Sequence, residues 1–304
     1  MRILITGVTG QVGAALRETL SASAAVVGAD RALLDLSLLE GIPSTLARYA
    51  PDLIVNPAAY TAVDRAEDEK EMAFRINAEA PGVIARWAAS RGVPLIHFST
   101  DYVFDGTGSR PWREDDPTDP LSVYGASKVA GELEVRAAAG PHLVIRTCWV
   151  YASTGSNFLR TIVRLAQERS ELRIVADQFG APTSARLIAE AVSAMIPDDG
   201  WLLAKRFSEA GGIVNLSAMG ETSWHGFATT IVHGMKSRGI ALKAQRIEPI
   251  LTNDFPTKAK RPLNSRFDLT RLTRVFGINT PRWDEALAAE LDVLAPALAN
   301  AAPG

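Results

Sequence analysis

The chain has 304 residues, enough for one large domain or two modest ones with a substantial core. Hydrophobic residues make up 47% and charged residues 22%, with a net charge of -2, so the composition is that of a globular enzyme and carries no basic stripe of the kind nucleic acid requires. No apolar run reaches the length of a membrane span. The apolar run 2–6 begins at once, leaving no room for a signal peptide, and the single cysteine, Cys148, forbids an internal disulfide; both fit a cytoplasmic protein. The four histidines show no metal-ligand spacing and read as structural or surface residues.

In chain order, short apolar runs at 2–6, 25–28, 53–56, 94–98 and 143–147 read as strands. Helical patterns lie between them at 11–20, 37–49, 70–91 and 122–138. This alternation predicts an α/β fold: a doubly wound, Rossmann-like parallel sheet covered on both faces. After Trp149 the pattern loosens. Helices are expected at 157–169 and 185–195, a loop at 177–183, and a short strand at 213–217. A capped helix starts near Thr222 or Ser223, a basic loop spans 258–266, and closing helices fall at 269–276 and 283–294. The Ala-rich end, 295–304, reads as frayed. Residues 1–150 are expected to form the dinucleotide-binding domain. Residues 151–304 would mainly form a smaller mixed substrate lobe, with some segments returning to the sheet.

The first strand runs into GVTGQVG, placing Gly7, Gly10 and Gly13 between a strand and a helix. That context calls for a tight turn, a close backbone approach to a pyrophosphate, and an anion at the helix N-terminus. Asp30 ends the second strand, where an acid can hold ribose hydroxyls or simply cap a turn. Arg31 beside it could meet a 2′-phosphate, so NADH and NADPH both remain open. In LSVYGASKVAGE, Tyr124 and Lys128 stand four residues apart and share a helix face. A free phenol titrates near about 10, too high for proton transfer at neutral pH. A lysine ammonium one turn away, together with an oxidised nicotinamide, would lower it. Ser99 and Thr100, just past the fourth strand, offer hydroxyls to hold a carbonyl oxygen.

These residues, in this order, resemble the extended short-chain dehydrogenase/reductases. Within that superfamily, GVTGQVG, STDYVFDGTG, PLSVYGASKVAGE, RTCWVYA, DQFGAPT and RPLNSR are similar to the motifs of the dTDP-4-dehydrorhamnose reductase family across essentially the whole chain. The resemblance implies NAD(P)H-dependent reduction of the C4 ketone of dTDP-6-deoxy-L-lyxo-4-hexulose, giving dTDP-L-rhamnose. It implies cofactor contacts at Gly10, Gln11, Val12, Asp30, Asp35, Leu36, Ala59, Tyr60, Thr61 and Phe98. Tyr124 would be the proton donor, and Lys128 would also hold the nicotinamide ribose. Thr100, Asp101 and Trp149 would touch the sugar, and Arg261 suits a pyrophosphate. Ala59, Phe98 and Trp149 can equally be packing residues, and Arg261 a solvated charge.

Two departures stand out. Ser122 replaces the asparagine that the family often has before Val-Tyr-Gly. Ala15 and Arg186 stand where some relatives place magnesium-binding glutamates at a dimer interface, and neither can ligate a hard cation. No metal is expected, and a monomer or weak homodimer replaces that dimer. A dehydratase or epimerase of the superfamily is the competing enzyme reading, disfavoured because Thr100-Asp101-Tyr102 lacks an Asp-Glu pair. A reductase-like regulatory subunit without turnover is the non-enzymatic alternative.

Overall fold

The computed structural model describes residues 1–197 and 200–299. Its centre is a six-stranded sheet in which every pairing is parallel. Strands β1 (Arg2–Thr6), β2 (Ala25–Ala29), β3 (Leu53–Asn56), β4 (Leu95–Thr100) and β5 (His142–Thr147) come from the first half. A sixth strand, Gly212–Asn215, returns from the second half and pairs with β5. The order is β2-β1-β3-β4-β5 and then the sixth strand. Strand order therefore reverses direction between β1 and β3, which opens a crevice at their carboxyl ends.

The apolar runs explain the sheet. All residues of β3 and β4 are buried, as a strand covered on both faces requires. Alternate residues feed two separate cores: Ile3, Ile5, Val55 and Ile96 face one, and Leu4, Ile54, Leu95 and Val144 face the other. Each fully buried aliphatic side chain contributes about 1.5–3 kcal/mol relative to exposure.

Several elements differ from the sequence pattern. The helix expected over 37–49 begins only at Gly41, because Asp35 binds the backbone N–H and hydroxyl of Ser37 and holds that stretch as a turn. The long helix over 70–91 is interrupted by a π-helical turn, Arg75–Glu79, between Lys70–Phe74 and Ala80–Ala89. At the other end, residues 295–299 continue the last helix, Trp283–Ala299, while 300–304 lie outside the described residues. The second half also builds small sheets, pairing Arg246–Ile250 with Glu171–Val175 and setting Asn264–Ser265 beside Phe179–Gly180.

Candidate active site

The carboxyl ends of β1, β3, β4 and β5 open into one cleft of about 830 Å³, within the usual range for a ligand site. The glycine turn forms its floor. Gly7 has φ +58°, and a Cβ there would sit 2.9 Å from Ala58. A Cβ on Gly13 would fall 2.2 Å from the Gly7 carbonyl oxygen. Both positions therefore exclude side chains, and the first helix, α1 (Gln11–Leu20), presents its N-terminus to the cleft. Gly10 caps that helix with extended backbone and no side chain, leaving its first N–H groups available to an anion. This cradle, walled by Ala59, Thr61 and Phe98, fits a dinucleotide.

Ser122 starts the helix Val123–Ala137 by accepting a hydrogen bond from Gly125 N, as an asparagine there would also do. That helix carries Tyr124 and Lys128 into the cleft lining. Thr100 and Asp101 enter it from the end of β4, and Thr147, Cys148 and Trp149 from the end of β5.

The electrostatics correct the simple tyrosine–lysine picture. Lys128 Nζ donates to the Phe98 carbonyl at 2.6 Å, so the ammonium is engaged with the strand rather than with the phenol. Burial pushes the Tyr124 phenol up to about 12, while a hydrogen bond with Thr100 acts the other way. Burial also brings Lys128 down to about 8, with Glu132 opposing. Tyr124 is thus a protonated phenol at neutral pH, the form a proton donor needs. Ser99 is not free to hold a carbonyl oxygen, because its hydroxyl donates to Glu132 at 2.6 Å. Thr100 Oγ1 donates to Asp101 Oδ1 at 3.0 Å, and Ser265 donates to the other oxygen. Asp101 is 2% exposed, and burial raises its carboxyl to about 6. Cys148 is buried with its thiol pushed well up, consistent with an inert side chain.

Other expected contacts lie outside the cleft lining. Asp30 caps the turn after β2 by accepting from Leu33 N, Asp35 pairs with Arg31, and Leu36 is buried in the second core. Tyr60 turns away, its hydroxyl donating to Glu69 at 2.7 Å. Arg261 makes a bidentate pair with Asp64 at 2.9 and 2.7 Å. Arg186 pairs with Glu290 at 3.1 Å. Among the described residues no group of three His, Cys, Asp or Glu side chains could hold a metal.

The RmlD substrate binding domain family matches residues 1–295. The dTDP-4-dehydrorhamnose reductase of Burkholderia thailandensis is 46% identical over 297 residues, covering 94% of this chain and 97% of that protein. The chain belongs to the dTDP-4-dehydrorhamnose reductase family. The Escherichia coli K12 dTDP-4-dehydrorhamnose reductase is 40% identical over 298 residues, covering 97% of this chain and 98% of that protein. Among solved structures, the family member from Bacillus anthracis in complex with NADP superposes with a TM-score of 0.86 at 32% identity, covering 96% of this chain and 99% of that one. The Clostridium acetobutylicum family member gives 0.87 at 33%, covering 97% of this chain and 99% of that one. Like these relatives, this family member is an NAD(P)H-dependent oxidoreductase.

Sequence reasoning missed three parts of the site. Trp224 lines the cleft stacked on Trp149. Asn77, on the π-helical turn, accepts from Tyr60 N and donates to Ser127, so it ties the loop after β3 to the Tyr124 helix. An irregular helical turn beside a cleft is a common functional feature, but the apolar period across 70–91 hides it. Ser265 reaches Asp101 from a distant strand.

Proposed function

We propose that this protein reduces the C4 ketone of dTDP-6-deoxy-L-lyxo-4-hexulose to dTDP-L-rhamnose, with NADPH or NADH as the reductant. The observation that carries this reading is that Tyr124 and Thr100 line one cleft together with the glycine turn, with a hydrogen bond between the two side chains. The named substrate comes from the 46% identical relative and its family.

A nicotinamide held in this cleft would supply the hydride that the ketone carbon takes up. The open N-terminus of α1, with Gly10, Gln11 and Val12, would hold the pyrophosphate. Ala59, Thr61 and Phe98 would line the nicotinamide half, and Lys128 would reach its ribose. Tyr124 gives its phenolic proton to the ketone oxygen as charge develops there. Thr100 would steady that oxygen by turning its hydroxyl from Asp101 to the substrate, and Trp149 with Trp224 would confine the sugar ring. Asp30 would hold the adenosine ribose.

Residues 1–150 then serve the cofactor, and 151–304 mainly the sugar nucleotide, apart from the strand Gly212–Asn215. Ala15 and Arg186 stand where some relatives place magnesium ligands, and the Arg186 guanidinium is paired with Glu290, which supports a metal-free site; a monomer or weak homodimer is the assembly proposed with it. No helix among the described residues is long and apolar enough to cross a membrane, which accords with work in the cytoplasm.

The test is NADPH absorbance with and without the keto-sugar, generated by its 3,5-epimerase, followed by product analysis. Oxidation of NADPH coupled to dTDP-L-rhamnose formation is expected. NADPH binding without turnover would instead support a regulatory subunit.

A further inference from the structure

Tyr124 and Lys128 have a third partner on their helix face. Glu132 lies one more turn along, so the three side chains form an i, i+4, i+8 ladder. Glu132 is 3% exposed and lies outside the cleft lining. Its Oε1 accepts from Ser99 Oγ at 2.6 Å and Arg146 Nε at 2.8 Å, and its Oε2 accepts from Arg146 Nη2 at 2.7 Å.

The donors sit where they matter. Ser99 and Arg146 are register partners on β4 and β5, and the next pair is Thr100 with Thr147, both facing the cleft. Lys128 is bonded to Phe98, the residue just before Ser99. The helix is therefore fastened to two consecutive residues of β4, immediately before Thr100. The rest of Arg146 is engaged as well: Nη1 donates to the Glu114 carbonyl at 3.2 Å, and the guanidinium lies 5.0 Å from the Phe104 ring centroid.

A buried pair of this kind adds little stability over an apolar substitute, so stability alone is a weak reason for it. We propose that Glu132 is a positioning residue whose carboxylate, clamped between Ser99 and Arg146, sets the register of Tyr124 and Lys128 against Thr100 and supplies the counter-charge to Lys128. This inference rests on the roles given above to Tyr124 and Lys128.

The groups around the Lys128 ammonium are mixed in charge, and Glu132 is the anion that favours it. From its own helix, Glu132 favours the cation and Tyr124 is a neutral phenol. From β4, His97 is wholly buried and held neutral, in part by Lys128 itself, and Asp101 lies beyond at the strand end. From β5, Arg146 opposes the cation but is neutralised by Glu132. Removing the Glu132 charge therefore lowers the lysine's affinity for its proton twice over, by losing an anion and by unmasking a cation.

The experiment compares full-length wild type, Glu132→Gln, Ser99→Ala and Tyr124→Phe, following NADPH oxidation by the keto-sugar from pH 6 to 10. Glu132→Gln should lower kcat about tenfold or more, the scale of a misplaced reacting group. Its alkaline limb should also move about one pH unit or more toward acid. Ser99→Ala keeps the charge but loses one tie, so its kcat should fall about threefold or more with the limb unmoved. A lower kcat in Glu132→Gln with an unmoved limb would mean packing alone and would overturn the proposal, as would wild-type kinetics. Should Glu132→Gln not fold, wild-type kcat in Ser99→Ala overturns the register claim. Full turnover in Tyr124→Phe would overturn the underlying reading instead, so the two failures are distinct.

Discussion

Trp149 and Trp224 lie face to face, with ring centroids 3.7 Å apart and planes 11° from parallel. Trp149 adopts φ 49°, a left-handed conformation that is costly for a bulky residue. A Cβ on Gly180 would come within 2.7 Å of the Trp149 ring, so the strand Phe179–Gly180 backs the indole closely. The Trp224 ring already covers one face of Trp149. The wall offered to a sugar belongs to the pair, with Phe158 packed against Trp224. Trp224→Ala should therefore raise the KM for the keto-sugar about tenfold, or roughly 1.4 kcal/mol, and leave NADPH affinity unchanged. Kinetics with cofactor and sugar varied separately decide it; a selective loss of NADPH affinity would place this wall at the cofactor.

The raised phenol and lowered lysine assign the pH dependence. Tyr124, at about 12, stays protonated throughout the working range, whereas Lys128, at about 8, loses its charge within it. Activity that needs the ammonium is present below about 8 and lost as pH rises through it. Tyr124→Phe should lower kcat by roughly 10²–10⁴, the range for a positioned general acid. Its residual activity should keep the alkaline limb near 8, because the limb belongs to the lysine. Disappearance of the limb in Tyr124→Phe would assign it to the phenol.

The parts legible in the sequence are those made by local patterns. The strand β1, the glycine turn and α1 follow within twenty residues, and Tyr124 and Lys128 are a single helical turn apart. Ser265 and Asp101 are 164 residues apart, and Arg261 and Asp64 are 197 apart. No spacing rule joins such residues; only the packing of the second lobe over the sheet does. The same limit applies to Lys128: helical periodicity shows Tyr124 as its neighbour on the same helix but not the Phe98 carbonyl on β4.

Asp101 tests how that long-range packing is balanced. Its carboxyl is at about 6 in the folded chain against 3.8 as the ordinary value, so the fold prefers it protonated. Below about 4 both folded and unfolded chains hold the proton and nothing is lost. As pH rises from 4 to 6 the unfolded chain ionises first, and above 6 the penalty is complete, on the order of 3 kcal/mol. Asp101→Asn removes it while retaining polar contacts to Thr100 and Ser265. The ligand-free variant should melt a few degrees above wild type at pH 8 and level with it at pH 4. Calorimetry at the two pH values checks this; a lower melting temperature at pH 8 would show that the ionised carboxylate stabilises the fold.

Arg261 separates two roles that a basic residue near a nucleotide-sugar site can have. The guanidinium is bidentate on Asp64 and also donates to the Ala259 carbonyl, and Asp64 accepts from Ala259 N. Lys258 pairs with Asp68 close by. Together these contacts strap the 258–266 segment to the loop and short helix after β3, and the same segment delivers Ser265 to Asp101. The hydrogen bond with Arg261 holds the Asp64 carboxyl down at about 2. A depressed carboxylate stabilises the fold above its unfolded value near 3.8 and loses that contribution as pH falls through about 2, so the strap is intact across the working range. Asp64 is 45% exposed, and solvent screening limits the coupling of the pair to about 0.5–1 kcal/mol in a double-mutant cycle. If the pair acts as a strap, Arg261→Ala and Asp64→Ala should raise the keto-sugar KM by similar factors, and the double variant should be no worse than either. If Arg261 instead holds the substrate pyrophosphate, Arg261→Ala alone should raise KM, while Asp64→Ala, which frees the guanidinium, should leave it unchanged or lower it. The bidentate geometry favours the first outcome, and steady-state kinetics on the three variants distinguishes it from the second.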